Sequence, residues 1–168
     1  MSADRPSWLF RGEDALVEAA REVAVRWRGA GLGPLVVALS GDLGSGKTTW
    51  VRAMLRGLGY AGRVPSPTYT LVELYPLDGL TLVHLDLYRL ADDAELEHLG
   101  IRDWLDAPST WLLVEWPERA QALQALADLE FEFDVIDATS RRVRLEPRSA
   151  SGQAAVAALA DLDSRYGS

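Results

Sequence analysis

From Glu13 to Arg28 apolar residues recur at helical spacing, with Leu16, Ala20, Val23 and Trp27 on one side and charges on the other. Gly29, Gly31, Gly33 and Pro34 end that helix. The period then changes. Leu35-Val36-Val37-Ala38-Leu39 is a continuous apolar run, the pattern of a strand buried on both faces, extending to Ser40. Helical spacing returns from Gly46 to about Leu58, where Trp50, Val51, Met54, Leu55 and Leu58 share a side and Gly57 and Gly59 mark the end.

Shorter elements follow. Ser7–Phe10 reads as an edge strand. Thr70–Tyr75 and Thr81–Leu87 read as two strands, with a turn over Pro76–Leu80 that makes them an antiparallel hairpin. Asp93–Leu99 is a short acidic helix stopped by Gly100, Trp111–Trp116 a buried strand, and Glu118–Leu126 a helical stretch. Phe131–Ile136 and Arg141–Glu146 are late strands joined by a polar turn, and Gln153–Leu162 is a closing helix. No internal repeat or long linker interrupts the series. Helix-flanked parallel strands mixed with hairpins predict an α/β sandwich, with helices on a mixed, partly antiparallel central sheet.

The chain's 168 residues fit one domain over positions 1–168, with the motif-bearing part at about 35–117 and a C-terminal helical extension over 147–168. Apolar residues make up 48%, enough for a sizeable core. No apolar run approaches the roughly 18 residues of a membrane span, and Met1–Pro6 lacks the basic-then-apolar pattern of a secretion signal. Cysteine is absent, which excludes disulfides, thiolate metal sites and cysteine nucleophiles. A cytoplasmic protein is the expectation. The net charge of −8 makes the chain a poor general binder of nucleic acid, so a role near RNA is expected to run through a partner protein.

Gly41-Asp42-Leu43-Gly44-Ser45-Gly46-Lys47-Thr48 is the phosphate-loop pattern G-x-x-x-x-G-K-[ST], placed between a strand and a helix as that motif requires. Its glycines let backbone N–H groups turn inward around an anion, and the following helix adds its own free N–H groups through Thr49. Lys47 can reach the β- and γ-phosphates and the Thr48 hydroxyl can hold Mg²⁺. A glycine-rich turn with a solvated lysine is the plain alternative.

Such a loop needs an acid at the C-terminal end of a neighbouring apolar strand. Asp86 ends Leu82-Val83-His84-Leu85, and Glu115 ends Trp111-Leu112-Leu113-Val114. Either acid taken alone also reads as a strand end facing water. Spacing leaves open which of them meets Mg²⁺ directly. Ser66, Thr68 and Thr70, with Pro65 and Pro67, lie where other triphosphate switches place a loop that senses the γ-phosphate; an ordinary loop is the alternative. His84 and His98 show no metal-ligand or triad spacing and read as structural or surface residues. Trp116 reads as packing, and Glu95-Leu96-Glu97 as a solvated helix face or, alternatively, an acidic docking face.

Five blocks in order complete the pattern. These are Gly41–Thr49; Pro65-Ser66-Pro67-Thr68-Tyr69-Thr70-Leu71-Val72; His84-Leu85-Asp86-Leu87-Tyr88-Arg89-Leu90; Glu95-Leu96-Glu97 with Leu99-Gly100-Ile101-Arg102-Asp103; and Val114-Glu115-Trp116-Pro117. Together they closely resemble the TsaE (YjeE) family over about residues 8–146. The resemblance implies a bacterial ATPase required for the N6-threonylcarbamoyladenosine modification of tRNA. It implies the partners TsaB and TsaD, which carry out the transfer to tRNA and whose complex ATP hydrolysis resets. By motif, Lys47 binds phosphates, Thr48 binds Mg²⁺, Asp86 is the acid of the second nucleotide motif, and Glu115 is a metal-associated or catalytic acid. Thr68 and Thr70 sit in the switch-like loop, and Trp116 lies near nucleotide or partner. Ser45 stands where the family more often has Ala, and nothing after about 147 matches a motif.

The expected reaction is ATP to ADP and phosphate by an in-line water, slow in the isolated chain, with Arg89 or a partner residue supplying an arginine to the transition state. A small-molecule kinase is the first alternative, disfavoured because no arginine cluster follows Asp86. A GTP-type binding switch is the second, disfavoured because N-K-x-D is absent.

Overall fold

The computed structural model describes residues 5–67 and 69–168. Its strands are β1 (Ser7–Arg11), β2 (Leu35–Gly41), β3 (Val72–Leu77), β4 (Leu80–Asp86), β5 (Thr110–Glu115), β6 (Leu129–Val135) and β7 (Ser140–Pro147). They form one mixed sheet in the order β1-β7-β6-β2-β5-β4-β3. The centre is parallel: β2 lies between β6 and β5, and β5 pairs with β4. Antiparallel hairpins finish both sides, β3 against β4 and β6 against β7, with β1 added to β7. This is the expected mixed, partly antiparallel α/β architecture.

The helices are α1 (Glu13–Gly29), α2 (Lys47–Gly57), α3 (Ala94–His98), α4 (Ile101–Leu105), α5 (Gln121–Gln124), α6 (Ala150–Ala157) and α7 (Ala160–Tyr166). One sheet face carries the larger core. Leu16, Val23 and Trp27 of α1, with Trp50, Met54 and Leu55 of α2, pack on Val37, Leu39, Trp111, Leu113 and Phe131. On the other face Leu96, Ile101 and Leu123 cover Val83, Leu85, Leu112 and Val114. Trp8, Trp27, Trp50 and Trp111 are fully buried.

The C-terminal helices belong to the larger core. Ala155, Leu159 and Leu162 are buried in it, the Trp27 indole N–H donates to the Ala155 carbonyl (2.9 Å), and the Trp8 indole N–H donates to Asp163 (2.6 Å). Two otherwise orphaned indole donors thus find partners on the last two helices, which sequence motifs left without a role. Among the described residues no helix is long and apolar enough to cross a membrane.

Several boundaries depart from the sequence reading. The β3–β4 turn is Asp78-Gly79 alone, Gly79 taking φ +71°, and Pro76 lies within β3 opposite Thr81. Proline is tolerated there because β3 is the sheet's edge. The strand begins at Val72 rather than Thr70 because Leu71 adopts a left-handed φ of 63° and its N–H closes on the Pro67 carbonyl (2.8 Å). The expected helix over 118–126 is a 3₁₀ turn (Pro117–Arg119) and the single-turn α5, separated at Ala120 by a non-helical φ of −138°. The closing helix is two helices, and α4 is additional.

Candidate nucleotide site

The site lies where the central parallel strands end. β2 leads into the loop Gly41–Gly46 and then α2. At Gly41 φ is +146°, and a Cβ would stand 2.6 Å from the Phe133 carbonyl oxygen, so only glycine passes there. At Gly46, φ +110°, a Cβ would press on Leu16 at 3.2 Å. The two glycines let the loop fold tightly over the end of β6 and start α2 with its N–H groups facing the cavity.

Lys47 is buried. Its ammonium donates to the carbonyls of Gly41 (2.6 Å) and Asp42 (3.0 Å) and stands 4.3 Å from the centre of the Trp116 ring. Burial pushes its pKa below the ordinary lysine value, while Glu115, Glu118, Asp86 and Asp42 pull the other way.

The acids come from adjacent strand ends. Asp86 of β4 pairs in register with Glu115 of β5, so both side chains project on one face, toward the start of α2. Thr48 donates its hydroxyl to Glu115 Oε1 (2.7 Å), and His84 Nε2 lies 3.1 Å from Glu115 Oε2. Asp86 Oδ1 accepts the Tyr88 N–H at 3.1 Å. Two strained residues adjoin these acids: Trp116, φ 58°, follows Glu115, and Leu71 accepts the Asp86 N–H (3.0 Å) on its carbonyl. Each left-handed non-glycine residue costs about 1–3 kcal/mol, and such strain gathers at functional sites.

A cavity of about 500 Å³ opens above the loop. Leu43, Gly44, Ser45, Gly46, Lys47, Thr48 and Thr49 line it, with Ser66, Asp86, Tyr88, Glu115 and Trp116. Further wall comes from Gly12, Glu13 and Leu16 at the start of α1 and from Ala138, Thr139 and Arg141 of the β6–β7 hairpin. The Gly12 N–H donates to the Thr139 carbonyl (2.8 Å), which ties these two segments together, and Arg141 donates to the Gly44 carbonyl (3.2 Å).

Most of the residues singled out in the sequence therefore meet in one cavity. Gly41 and Asp42 do not line it; they shape the loop and hold Lys47. Thr70 points elsewhere, its hydroxyl donating to Glu73 (3.2 Å). Arg89 is likewise outside the lining, its guanidinium 4.8 Å from the exposed Tyr69 ring. Thr68 lies outside the described residues. Arg141, Tyr88, Thr139 and the Gly12-Glu13 corner were not foreseen. Arg141, Thr139 and the Gly12-Glu13 corner reach the cavity through long-range pairing that no local pattern signals, whereas Tyr88 reaches it locally, two residues past Asp86 with its N–H on the Asp86 carboxylate. His84 had a usable signal, the two-residue spacing from Asp86.

The family model "Threonylcarbamoyl adenosine biosynthesis protein TsaE" matches residues 11–143. The tRNA threonylcarbamoyladenosine biosynthesis protein TsaE of Haemophilus influenzae is 44% identical over 127 residues, 76% of this chain and 79% of that protein. Its counterpart of the same name in Aquifex aeolicus is 34% identical over 139 residues, 82% and 92% of the two chains. The crystal structure of YdiB from Bacillus subtilis superposes with a TM-score of 0.75 across 97% of this chain and 99% of that one; at 22% identity this likeness concerns the fold.

Proposed function

The chain belongs to the TsaE family, and we propose that it serves tRNA threonylcarbamoyladenosine biosynthesis by binding and hydrolysing ATP in the cavity above Gly41–Lys47. The observation that carries this reading is the Thr48–Glu115 hydrogen bond, which brings the end of the phosphate loop and a strand-end carboxylate to one point. The adenine base and ribose would extend from the loop toward the wall made by Gly12, Thr139 and Arg141.

The donors fit a magnesium nucleotide. Thr48, Asp86 and Glu115 offer hydroxyl and carboxylate oxygens, the hard ligands this ion prefers, and they would hold it. Among the described residues no three His, Cys, Asp or Glu side chains gather as a cage. Magnesium in such sites takes one or two carboxylates and relies on the substrate's phosphates for the rest. When bound with ATP it neutralises charge on the phosphate oxygens.

The chain's own groups do the remaining work. The amides of Gly44–Thr48 receive the phosphates at the positive end of α2. Lys47 exchanges the Gly41 and Asp42 carbonyls for phosphate oxygens, a better partner for a buried ammonium than neutral carbonyls. Glu115, 1% exposed, and Asp86, 6% exposed, are the carboxylates available to orient the attacking water. Trp116 closes the cavity beside Lys47.

Arg141 lines the cavity, but its guanidinium is committed to the Gly44, Asp137 and Ser140 carbonyls. Arg89 rests on Tyr69. The isolated chain is therefore a slow ATPase that awaits a cation from a partner, and TsaB and TsaD are the partners proposed. Contact with tRNA runs through them, in keeping with the net charge of −8. The test is ATP turnover by the purified chain with and without TsaB and TsaD. Stimulation that Lys47→Ala abolishes is expected; equal turnover by the Lys47→Ala variant contradicts the proposal.

A further inference from the structure

His84 occupies a position that packing alone does not explain. It alternates along β4 with Leu82 and Asp86, pairs across the sheet with Leu113 of β5, and is completely buried on the face covered by α2. An apolar side chain would suit neighbours such as Leu82, Trp111 and Leu113, whereas an imidazole brings two polar nitrogens into that core. One of them, Nε2, reaches Glu115 Oε2 at 3.1 Å. The other, Nδ1, has no hydrogen-bond partner among the described residues.

These two facts select a tautomer. A proton on Nε2 is donated to the carboxylate, and the unpartnered Nδ1 is then a lone pair. The opposite tautomer would bury an N–H with nothing to receive it and set two acceptors against each other. His84 therefore holds Oε2 of Glu115 from below, while Thr48 holds Oε1 from the side of the loop. Two bonds at opposite oxygens fix the plane of the carboxylate. His84 does not line the cavity, so whatever it does there it does through Glu115.

We infer that His84 is a positioning residue, donating from Nε2 to Glu115 so that this carboxylate presents its other oxygen toward Thr48 and the nucleotide. The inference rests on the proposed ATP hydrolysis for its catalytic consequence, but the hydrogen bond and tautomer belong to the chain without ligand. Outer residues that orient a ligand carboxylate or imidazole in this way are worth about 10–100-fold in metal affinity or activity.

The first measurement needs neither nucleotide nor metal. Long-range ¹H–¹⁵N correlation on the metal-free chain, with His84 assigned through His84→Gln, is expected to show the Nε2-protonated tautomer. A proton on Nδ1 would overturn the inference. The second compares variants at saturating ATP. His84→Leu, which keeps the apolar packing, is expected to lower kcat by about 10–100-fold and raise the Mg²⁺ concentration for half-maximal turnover. Its metal-free binding of a fluorescent ATP analogue is expected to stay within about twofold, a loss too small to reflect a disturbed loop. His84→Gln, which can offer an N–H at a similar reach, is expected to recover most of the rate, an outcome that a purely structural role would not give.

Two results separate this inference from the function beneath it. If Glu115→Gln is inert while His84→Leu turns over like the wild type, His84 has no positioning role and ATP hydrolysis stands. If Glu115→Gln itself turns over normally, the hydrolytic assignment fails first. Should His84→Leu not fold, the tautomer in the wild-type chain and the rate of His84→Gln still decide.

Discussion

Thr48, at the start of α2, donates its hydroxyl to Oε1 of Glu115, the last residue of β5, at 2.7 Å and 67 positions away in the chain. The contact joins the two halves of the site, the loop that would receive phosphates and the strand ends that bring carboxylates. Residues that act as a unit lose their effect together. Thr48→Ala and Glu115→Gln are each expected to reduce ATP turnover by about 10²–10³-fold, the size of losing one preorganised polar group at a reacting centre. The double variant is expected to lose little more. Steady-state rates with TsaB and TsaD present check this; additive losses would mean the two residues act separately.

Gly41 is where the loop is least forgiving. Its φ of +146°, and a Cβ that would stand 2.6 Å from the carbonyl oxygen of Phe133, its partner in the β2–β6 pairing, and 2.8 Å from Ser45 Oγ, leave no room for a side chain. Gly41→Ala is expected to destabilise the fold by about 2–3 kcal/mol and to abolish ATP binding. Urea unfolding and titration with a fluorescent ATP analogue measure the two effects. Gly44→Ala meets no atom within 4 Å and keeps only the strain of its φ of +78°, so its stability loss is expected to be smaller.

Arg141 ties the β6–β7 hairpin to the loop through the Gly44 carbonyl at 3.2 Å. Arg141→Ala is expected to raise KM for ATP by about 5–10-fold, the net value of about one hydrogen bond, with a smaller effect on kcat. Rates over a range of ATP concentrations separate the two. A fall in kcat at constant KM would place Arg141 in the transition state instead.

Tyr75 supplies a pH dependence unconnected with catalysis. Its side chain is buried, its hydroxyl has no partner among the described residues, and burial raises its pKa from 10.0 to about 12, with Glu73 adding to the shift. The group is an acid whose folded pKa exceeds its unfolded one. Between the two values the unfolded chain releases the proton and the native chain keeps it, so stability falls as pH rises from about 10 to about 12. The loss is of the order of 1–2 kcal/mol over that window, allowing for water reaching an opened edge strand. Tyr75→Phe is expected to be neutral or slightly stabilising at pH 7 and to flatten this alkaline decline in thermal melts. An unchanged decline would place the titrating group elsewhere.

The legible parts of this molecule were those written in local pattern. The 3.6-residue period of α1 and α2, the apolar runs of β2, β4 and β5 and the glycine loop depend on near neighbours, and each element formed within a residue or two of its expected span. The period of two that relates His84 to Asp86 also put their side chains on one face. What the sequence hid was decided at a distance or by single-residue strain. Leu71 in a left-handed conformation sets where β3 starts, Trp116 in another turns the chain directly after Glu115, and Ala120, φ −138°, breaks the expected helix after β5; none of these residue types announces such a φ. Arg141 reaches Gly44 only because β6 pairs with β2 and β7 folds back on β6, and Arg89 was drawn to Tyr69 rather than to the loop.

The measurement closest to the central claim is multiple-turnover threonylcarbamoyl transfer to tRNA by TsaB and TsaD, following ATP consumption alongside, with the wild-type chain or Lys47→Ala added. Wild type is expected to sustain repeated rounds while consuming ATP, and Lys47→Ala to stop after the first round with ATP untouched. Sustained rounds at equal rate with the Lys47→Ala chain would contradict the account.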